Sequence, residues 1–353
     1  MEKGKVDKTI TIVIPTLNEE KYIGKILNSV LESDCTSLNL KKILVVDGMS
    51  SDKTREIVRE FSELDDRIIL VDNLKVKQAN ALNIALELAK TKYLIRLDAH
   101  AEYDSNYIFN SVMVSEESGA LNVGGAQRFI AETPFQFAVS VAVDSKLGSG
   151  GAKYRKNEFS GFADTVWLGC YKPDAVRTVG GFATDNGPNE DSELNYRLNK
   201  YAEGKGVYCS SKIKAWYYPR RNLKKMFQQY FRYGRSRFVT FLKHPATISI
   251  RALVPFIAFW TMGIMILLIA LKTVTAAIAV ILLVISIIFG VNSSSYVSKY
   301  GDFKKIWKSS DKIPSLFYLI PITTMVIICM NLGHAIGFTY QGFKTLIQLE
   351  NSY

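Results

Sequence analysis

The sequence predicts an α/β domain built on a mostly parallel sheet, then a basic amphipathic helix and three membrane-spanning helices. Two observations carry the first part of that expectation. Short apolar, β-branched runs alternate with amphipathic stretches through the first hundred residues, the pattern of a sheet covered on both faces. No NAD-type or P-loop glycine fingerprint follows the first of these runs, which disfavours NAD and ATP chemistry. The third observation concerns the far end of the chain, where long uncharged runs crowd the last hundred residues.

In order, Ile10–Ile14 reads as a strand and Glu19–Leu31 as a helix. Lys42–Val46 is the second strand, with a helix from about Asp52 to Phe61. Arg67–Val71 and Ala79–Lys90 repeat the pair, and Tyr93–Leu97 closes it. Ligands of open parallel sheets sit at the carboxyl ends of the strands. Polar residues collect there: Asn18 and Glu19 after the first strand, Asp47 after the second, Asp98 after the fourth. The charged leader before Ile10 lacks the apolar core of a signal peptide.

Ala252–Leu271 is a run of 20 residues without a charge, about 30 Å as a helix and enough to cross a bilayer. Val274–Val291 and about Ile313–Leu332 are the second and third spans, and only Lys272 and Thr273 separate the first two. The chain carries a net charge of +11, and the segment Lys212–Arg251 alone accounts for it, with no Asp or Glu. Cations flanking a span mark its cytoplasmic side. Five lysines between Asn292 and Lys312 place that loop on the same side, giving a cytoplasmic domain, a hairpin out and back, and a third span outward. Set against a bilayer, the basic segment argues for lipid headgroups and against nucleic acid. The expected division is a catalytic domain over 1–220, an interfacial helix over 221–250 and a membrane region over 251–353. Leu223, Met226, Phe227, Tyr230, Phe231 and Phe238 form the apolar stripe of that helix, expected to lie in the bilayer boundary. Cys35, Cys170, Cys209 and Cys329 have neither metal-like nor redox-like spacing. His334 reads as a bundle-facing polar residue of the third span.

Asp98 and His100 leave a strand two residues apart and so point to one side. A carboxylate with an imidazole suits Mn²⁺ or Mg²⁺, although a lone strand-end aspartate reads equally as a solvated surface group. Asn189-Glu190-Asp191 precedes a helical stretch, with Gly187-Pro188 ahead of it. A carboxylate at a helix start is kept ionised by the exposed N–H groups. It serves either as a cap or as a general base for an acceptor hydroxyl.

Several motifs together bring a family into view. Thr11-Ile-Val-Ile-Pro15-Thr-Leu-Asn18-Glu19-Glu20 resembles the opening of family-2 glycosyltransferases with the GT-A fold, a Rossmann-like arrangement with helices on both faces. Asp47-Gly-Met-Ser-Ser-Asp52-Lys-Thr54 is similar to their acidic turn. Asp98-Ala-His100-Ala resembles their DxD motif in the form seen in succinoglycan-type exopolysaccharide enzymes. The resemblance implies that Pro15, Asn18, Glu19 and Asp47 line the base and ribose pocket. It places Lys75, Gln78 and Asn80 beside the nucleotide, and has Asp98 and His100 hold the metal. It makes Asp191 the base, assisted by Glu190, with inversion at the anomeric centre. His100 stands where many relatives have a second Asp, which leaves the metal open between Mn²⁺ and Mg²⁺. Gln229-Tyr-Phe-Arg232-Tyr233 resembles QxxRW with Tyr for Trp. It implies that Gln229, Arg232, Tyr233 and nearby Arg235 close over acceptor and diphosphate, against a plain anchoring role. Trp167 is either a sugar contact or a core residue.

The expected activity is transfer of a sugar from a nucleotide sugar, UDP-linked by expectation, to a polyprenyl-linked acceptor in cell-surface polysaccharide synthesis. A polyprenyl-phosphate sugar synthase and a processive synthase are the alternatives within the class. A transport or interaction protein with a degenerate nucleotide-binding domain is the alternative outside it.

Overall fold

The computed structural model describes residues 8–33, 37–149, 152–185, 187–248 and 250–350, so Cys35 lies outside the described residues. The chain forms two compact units: residues 1–128 with 153–217, and residues 129–152 with 218–353.

In the first unit the main sheet begins with β1 (Thr9–Thr16), β2 (Asn39–Asp47), β3 (Ile68–Asp72) and β4 (Tyr93–Arg96). They are joined by α1 (Ile23–Leu31), α2 (Thr54–Leu64) and α3 (Gln78–Leu88). A short β5 (Ala101–Tyr103), α4 (Tyr107–Ser118), β6 (Asn122–Gly125) and β7 (Gln127–Phe129) follow. After the segment carrying α5 (Pro134–Asp144) and α6 (Lys146–Ser149), which belongs to the second unit, come β8 (Gly161–Phe162) and β9 (Trp167–Tyr171). Then follow α7 (Pro173–Thr178), α8 (Glu190–Tyr201), β10 (Val207–Cys209) and β11 (Ala215–Tyr217). The main sheet runs β3-β2-β1-β4-β9-β6-β10-β8, with β5-β11-β7 as a second small sheet. β1 pairs in parallel with both β2 and β4, so the strand order reverses there and the ends of β1, β2 and β4 meet.

Alternation along β1 builds both cores. Ile10, Ile12 and Ile14 face the layer of α1, where Ile23, Ile26, Leu27 and Val30 cover them. Val13 faces the opposite layer with Leu82 and Leu86 of α3 and Leu194 and Leu198 of α8. Each fully buried side chain of this size contributes about 1.5–3 kcal/mol of transfer free energy.

The first helix starts at Ile23, later than the expected Glu19. The N–H groups of Asn18, Glu19 and Glu20 donate to Ser50 Oγ, Thr54 Oγ1 and Asp52 Oδ2 at 2.8, 2.8 and 3.1 Å. Asn18 itself takes a left-handed φ of 55°. The chain is thereby held in a loop before it turns into helix. Likewise Asp52 stands outside α2, because its Oδ1 accepts from Thr54 N at 3.0 Å.

The second unit contains α5, α6, α9 (Leu223–Lys243), α10 (Ile250–Ala270), α11 (Val274–Phe303) and α12 (Leu316–Glu350). Among the described residues, three stretches are long and apolar enough to cross a bilayer: Leu253–Ala270, Val274–Val291 and Leu316–Gln348. Two expectations are corrected here. Residues 129–152 were counted with the catalytic domain, but they pack with the C-terminal helices. The reason is composition: Val139, Ala142 and Val143 of α5 join Val326, Ile327 and Met330 of α12 in one buried cluster. The third apolar run also starts later and runs further than 313–332, because Pro314 holds back the helix start and α12 then continues for 35 residues.

The apolar stripe of α9 meets α12 rather than facing outward alone. A Cβ on Gly333 would come within 3.2 Å of Tyr230, and one on Gly337 within 2.0 Å of the Phe231 carbonyl oxygen. On the α9 side, a Cβ on Gly234 would meet the His334 carbonyl oxygen at 2.1 Å. Small residues four apart let two backbones approach this closely. Gly337→Ala is therefore expected to cost about 1–3 kcal/mol by overpacking, read as a fall in the thermal midpoint. Gly263→Ala, whose Cβ meets nothing within 4 Å, is the control expected to leave the midpoint unchanged.

Candidate active site

The site is assembled where β1, β2 and β4 end. Arg96, the last residue of β4, is 4% exposed, and a buried guanidinium needs compensating charge. It donates from Nε to Asp98 Oδ1 at 2.9 Å, and from Nη1 to both carboxylate oxygens of Asp191 at 2.8 Å. Glu190 Oε1 lies 4.0 Å from the same Nη1. The Gln78 amide fits between them, accepting from Arg96 Nη2 and donating to Glu190 Oε1 at 3.2 Å. A strand end and a helix start are thus tied through one side chain.

The two carboxylates of α8 differ in environment. Glu190 is 3% exposed, and burial together with the Asp191 charge pushes its carboxyl up to about 8. Its Oε2 has no hydrogen-bond partner. Burial also raises Asp191, with Arg96 pulling the other way. At neutral pH Glu190 therefore keeps its proton, while Asp191 is the carboxyl that the guanidinium holds at both oxygens. Two carboxyl groups separated in this way divide acid and base roles.

Asp98 is fixed from behind. Its backbone N–H donates to Tyr103 Oη at 2.6 Å, and that hydroxyl donates to the Asp98 carbonyl at 3.1 Å. Burial and the Asp98 charge push the Tyr103 hydroxyl up, so it stays protonated. His100 Nδ1 meets Glu19 Oε1 at 3.1 Å, and its ring lies edge-on to Tyr217, which Trp167 also contacts edge-on. Trp167 packs in part against the core. Among the described residues, no group of three or more His, Cys, Asp or Glu side chains forms a metal cage. A carboxylate and an imidazole, as in Asp98 and His100, are of a chemistry that suits a divalent ion bringing further oxygen ligands with it.

Asp47 is fully buried, accepting from Arg55 Nη1 at 2.8 Å and Ser50 N at 2.9 Å. Arg55 also reaches Asp72 at 2.7 Å. Pro15 pairs with Val46 one step before this turn. Asn18 braces it through Oδ1, which accepts from Ser51 N at 2.9 Å. The loop carrying Lys75 abuts the same turn: Asn73 N donates to the Asp47 carbonyl, and Asn73 Nδ2 donates to the Lys77 carbonyl at 3.0 Å. Lys75 and Gln78 are exposed there and Asn80 is half-buried.

Pro15, Asn18, Glu19, Asp47, Lys75, Gln78, Asn80, Asp98, His100, Glu190 and Asp191 all belong to the first unit, as does Trp167. Gln229, Arg232, Tyr233 and Arg235 belong to the second. There Gln229 Nε2 donates to Tyr233 Oη at 2.8 Å, and Arg232 Nε donates to the Gln228 carbonyl at 3.3 Å. Arg235 Nε donates to Gln341 Oε1 at 3.1 Å and its guanidinium lies over the Tyr340 ring. Within its own unit, Arg235 is a helix–helix contact. Sequence reasoning missed Arg96, Tyr103 and Arg55. The signal for Arg96 was present: an arginine inside an apolar strand, two residues before Asp98 and so on its side.

Residues 11–174 match the model of the family described as Glycosyl transferase family 2. The chain is 39% identical to the succinoglycan biosynthesis protein ExoA of Rhizobium meliloti, over 69% of this chain and 73% of that protein. It is 31% identical to a dolichyl N-acetyl-alpha-D-glucosaminyl phosphate 3-beta-D-2,3-diacetamido-2,3-dideoxy-beta-D-glucuronosyltransferase of Methanococcus voltae, over 65% and 72%. Among solved structures, the mannosyltransferase PcManGT of Pyrobaculum calidifontis, in complex with GDP-Man and Mn²⁺, superposes with a TM-score of 0.58. It is 18% identical and covers 92% of this chain and 86% of its own, a likeness of fold.

Proposed function

The chain belongs to glycosyl transferase family 2, and we propose that it moves one sugar from a nucleotide sugar to a polyprenyl-linked acceptor, inverting the anomeric centre. The observation that carries this reading is the Arg96 bridge, which ties the strand-end Asp98 to the helix-start Asp191. That link supports a reading in which donor-side and acceptor-side groups work together. The relatives support the class: one belongs by name to exopolysaccharide synthesis, and another acts on a dolichyl-linked sugar phosphate. The latter favours a lipid-linked saccharide over a bare lipid phosphate as acceptor.

In this reading the Asp191 carboxylate accepts the proton of an acceptor hydroxyl. The freed oxygen lone pair forms the new bond to the anomeric carbon, and the bond to the nucleotide diphosphate breaks with its electron pair leaving on phosphate oxygen. Neutral Glu190 donates a hydrogen bond within the site. A Mn²⁺ or Mg²⁺ held by Asp98 and His100 would supply positive charge to the departing diphosphate. Pro15, Asn18, Glu19 and Asp47 shape the nucleoside pocket, with Lys75, Gln78 and Asn80 beside it. Trp167, Gln229, Arg232, Tyr233 and Arg235 are assigned to the acceptor side. The catalytic unit sits on the cytoplasmic face, supported by the cations of α9 ahead of the α10–α11 hairpin and by Lys304, Lys305, Lys308 and Lys312 after it.

Purified protein given Mn²⁺, a panel of UDP- and GDP-sugars and a polyprenyl-diphosphate-linked sugar is expected to consume one donor only when that acceptor is present. Transfer to water alone, or to no lipid-linked acceptor, sinks the reading. Asp98→Asn is expected to weaken donor binding about as much as EDTA does. Equal donor affinity in wild type with and without EDTA removes the metal from it.

A further inference from the structure

We infer that α12, though apolar enough to cross a bilayer, does not cross one: it lies flat on the membrane surface, and the chain spans the membrane twice. The surface this creates is a lipid-facing plate made of α12 with α9 at its side.

The partner of α12 is the first reason. Cys329 Sγ contacts the Leu223 carbonyl oxygen at 3.7 Å, a Cβ on Gly333 would come within 3.1 Å of the Phe227 carbonyl oxygen, and Arg235 Nε bonds Gln341. A Cβ on Gly342 would meet the Phe238 ring at 3.2 Å. The contacts rise together along both chains, so α9 and α12 run parallel and side by side from Leu223–Cys329 to Phe238–Gly342. Whatever depth one helix takes, the other shares.

α9 has no place in hydrocarbon. It carries Lys224, Lys225, Arg232, Arg235, Arg237 and Lys243, and cations at the centre of a bilayer are strongly disfavoured. Three central arginines outweigh what a shared apolar stripe offsets once that stripe is already covered by α12. The part of α12 before Cys329 runs from Leu316 to Ile328, a rise of about 20 Å. That is short of the roughly 30 Å needed to cross, and it begins in the lysine-bearing loop. No part of α12 is left over to form a span.

The hairpin gives an independent reason. Phe256 and Trp260, near the start of α10, meet Phe338 and Thr339, with the indole N–H donating to Thr339 Oγ1 at 3.1 Å. Ile288, near the end of the apolar run of α11, joins Val326, Ile327 and Met330. These contacts are about 12–20 Å apart along α12, at least the 8–10 Å between two packed helices. α12 therefore passes across the base of the hairpin, meeting both legs near their membrane-entering ends. Its exposed side carries Phe317, Tyr318, Tyr340, Phe343 and Leu346, at 91%, 54%, 50%, 59% and 59% exposure. Aromatic rings of this kind suit the headgroup boundary, and the plate continues directly into the membrane-entering hairpin.

The test uses the full chain with Cys35→Ser and single cysteines at Ser310 and Ser352, on either side of α12, labelled in intact cells by a membrane-impermeant maleimide. Total reactivity is taken after permeabilisation without denaturation, which leaves Cys170, Cys209 and Cys329 buried, and is read as the gain over the Cys35→Ser parent. Both positions are expected to fall in the same class, labelled only once the membrane is opened. One position labelled in intact cells and the other protected overturns the proposal, because α12 then separates two compartments. A third cysteine at Thr273, in the hairpin turn, is expected to label from outside. Its protection would count against the cytoplasmic placement of the catalytic unit, while the Ser310–Ser352 comparison would still decide whether α12 crosses.

Discussion

Asp191→Asn is expected to lower kcat by at least about a hundred-fold while leaving donor affinity within a few-fold of wild type. The substitution keeps the size and the α8 helix start but removes the carboxylate that the Arg96 guanidinium holds at both oxygens. General base catalysis contributes typically 10²–10⁴-fold, so the loss belongs in turnover. Steady-state kinetics with the identified donor, beside a donor-binding isotherm, separates the two. Wild-type turnover in the variant would show that Asp191 only caps its helix. Glu190→Gln sharpens the assignment. Because the Glu190 carboxyl is raised to about 8, it is neutral below that pH and ionises as pH rises through it. Wild-type activity is expected to fall on that alkaline limb, as a second negative charge appears beside Asp191. The glutamine variant should match wild type near neutrality and keep its activity above pH 8.

Arg96 carries the second large effect. Arg96→Met leaves Asp98, Glu190 and Asp191 without their shared cation. Breaking one side of a buried ion pair costs about 3–5 kcal/mol, so the variant is expected to melt well below wild type and to be inactive. That alone would describe any buried structural arginine. Arg96→Lys distinguishes the two roles, since it restores charge but not the fork that serves two carboxylates at once. If Arg96 aligns the strand-end and helix-start groups, Lys recovers most of the thermal midpoint yet leaves kcat depressed, with a shifted pH profile. Recovery of both midpoint and kcat would reduce Arg96 to a counter-charge.

Much of the first unit was legible because its strands alternate strictly. Ile10, Ile12 and Ile14 declare one face of β1 and Val13 the other, and the same period placed Asp47 and Asp98 at strand ends. The late start of α1 was not legible, because it depends on Ser50, Asp52 and Thr54 from a loop more than thirty residues away. Arg96 was passed over for a related reason: a charge within an apolar run gives no sign of its partner until α8 is folded against it. The α9 stripe was read correctly as apolar, but periodicity does not say whether lipid or protein covers it. The glycines at 333 and 337 of α12 and at 234 of α9 hint that two backbones approach there. α5 was unread altogether, because a short helix buried along most of its length looks like any buried segment.

The pairing of α5 with α12 also sets an order of events during synthesis. Residues 134–144 leave the ribosome nearly two hundred residues before the partner that buries Val139 and Val143. At 5–20 residues per second, that helix waits roughly 10–40 s without its cover. Through that interval its apolar side must be sheltered by a chaperone or by the bilayer itself. A nascent chain halted after the hairpin would thus remain sticky, although its sheet domain was already complete.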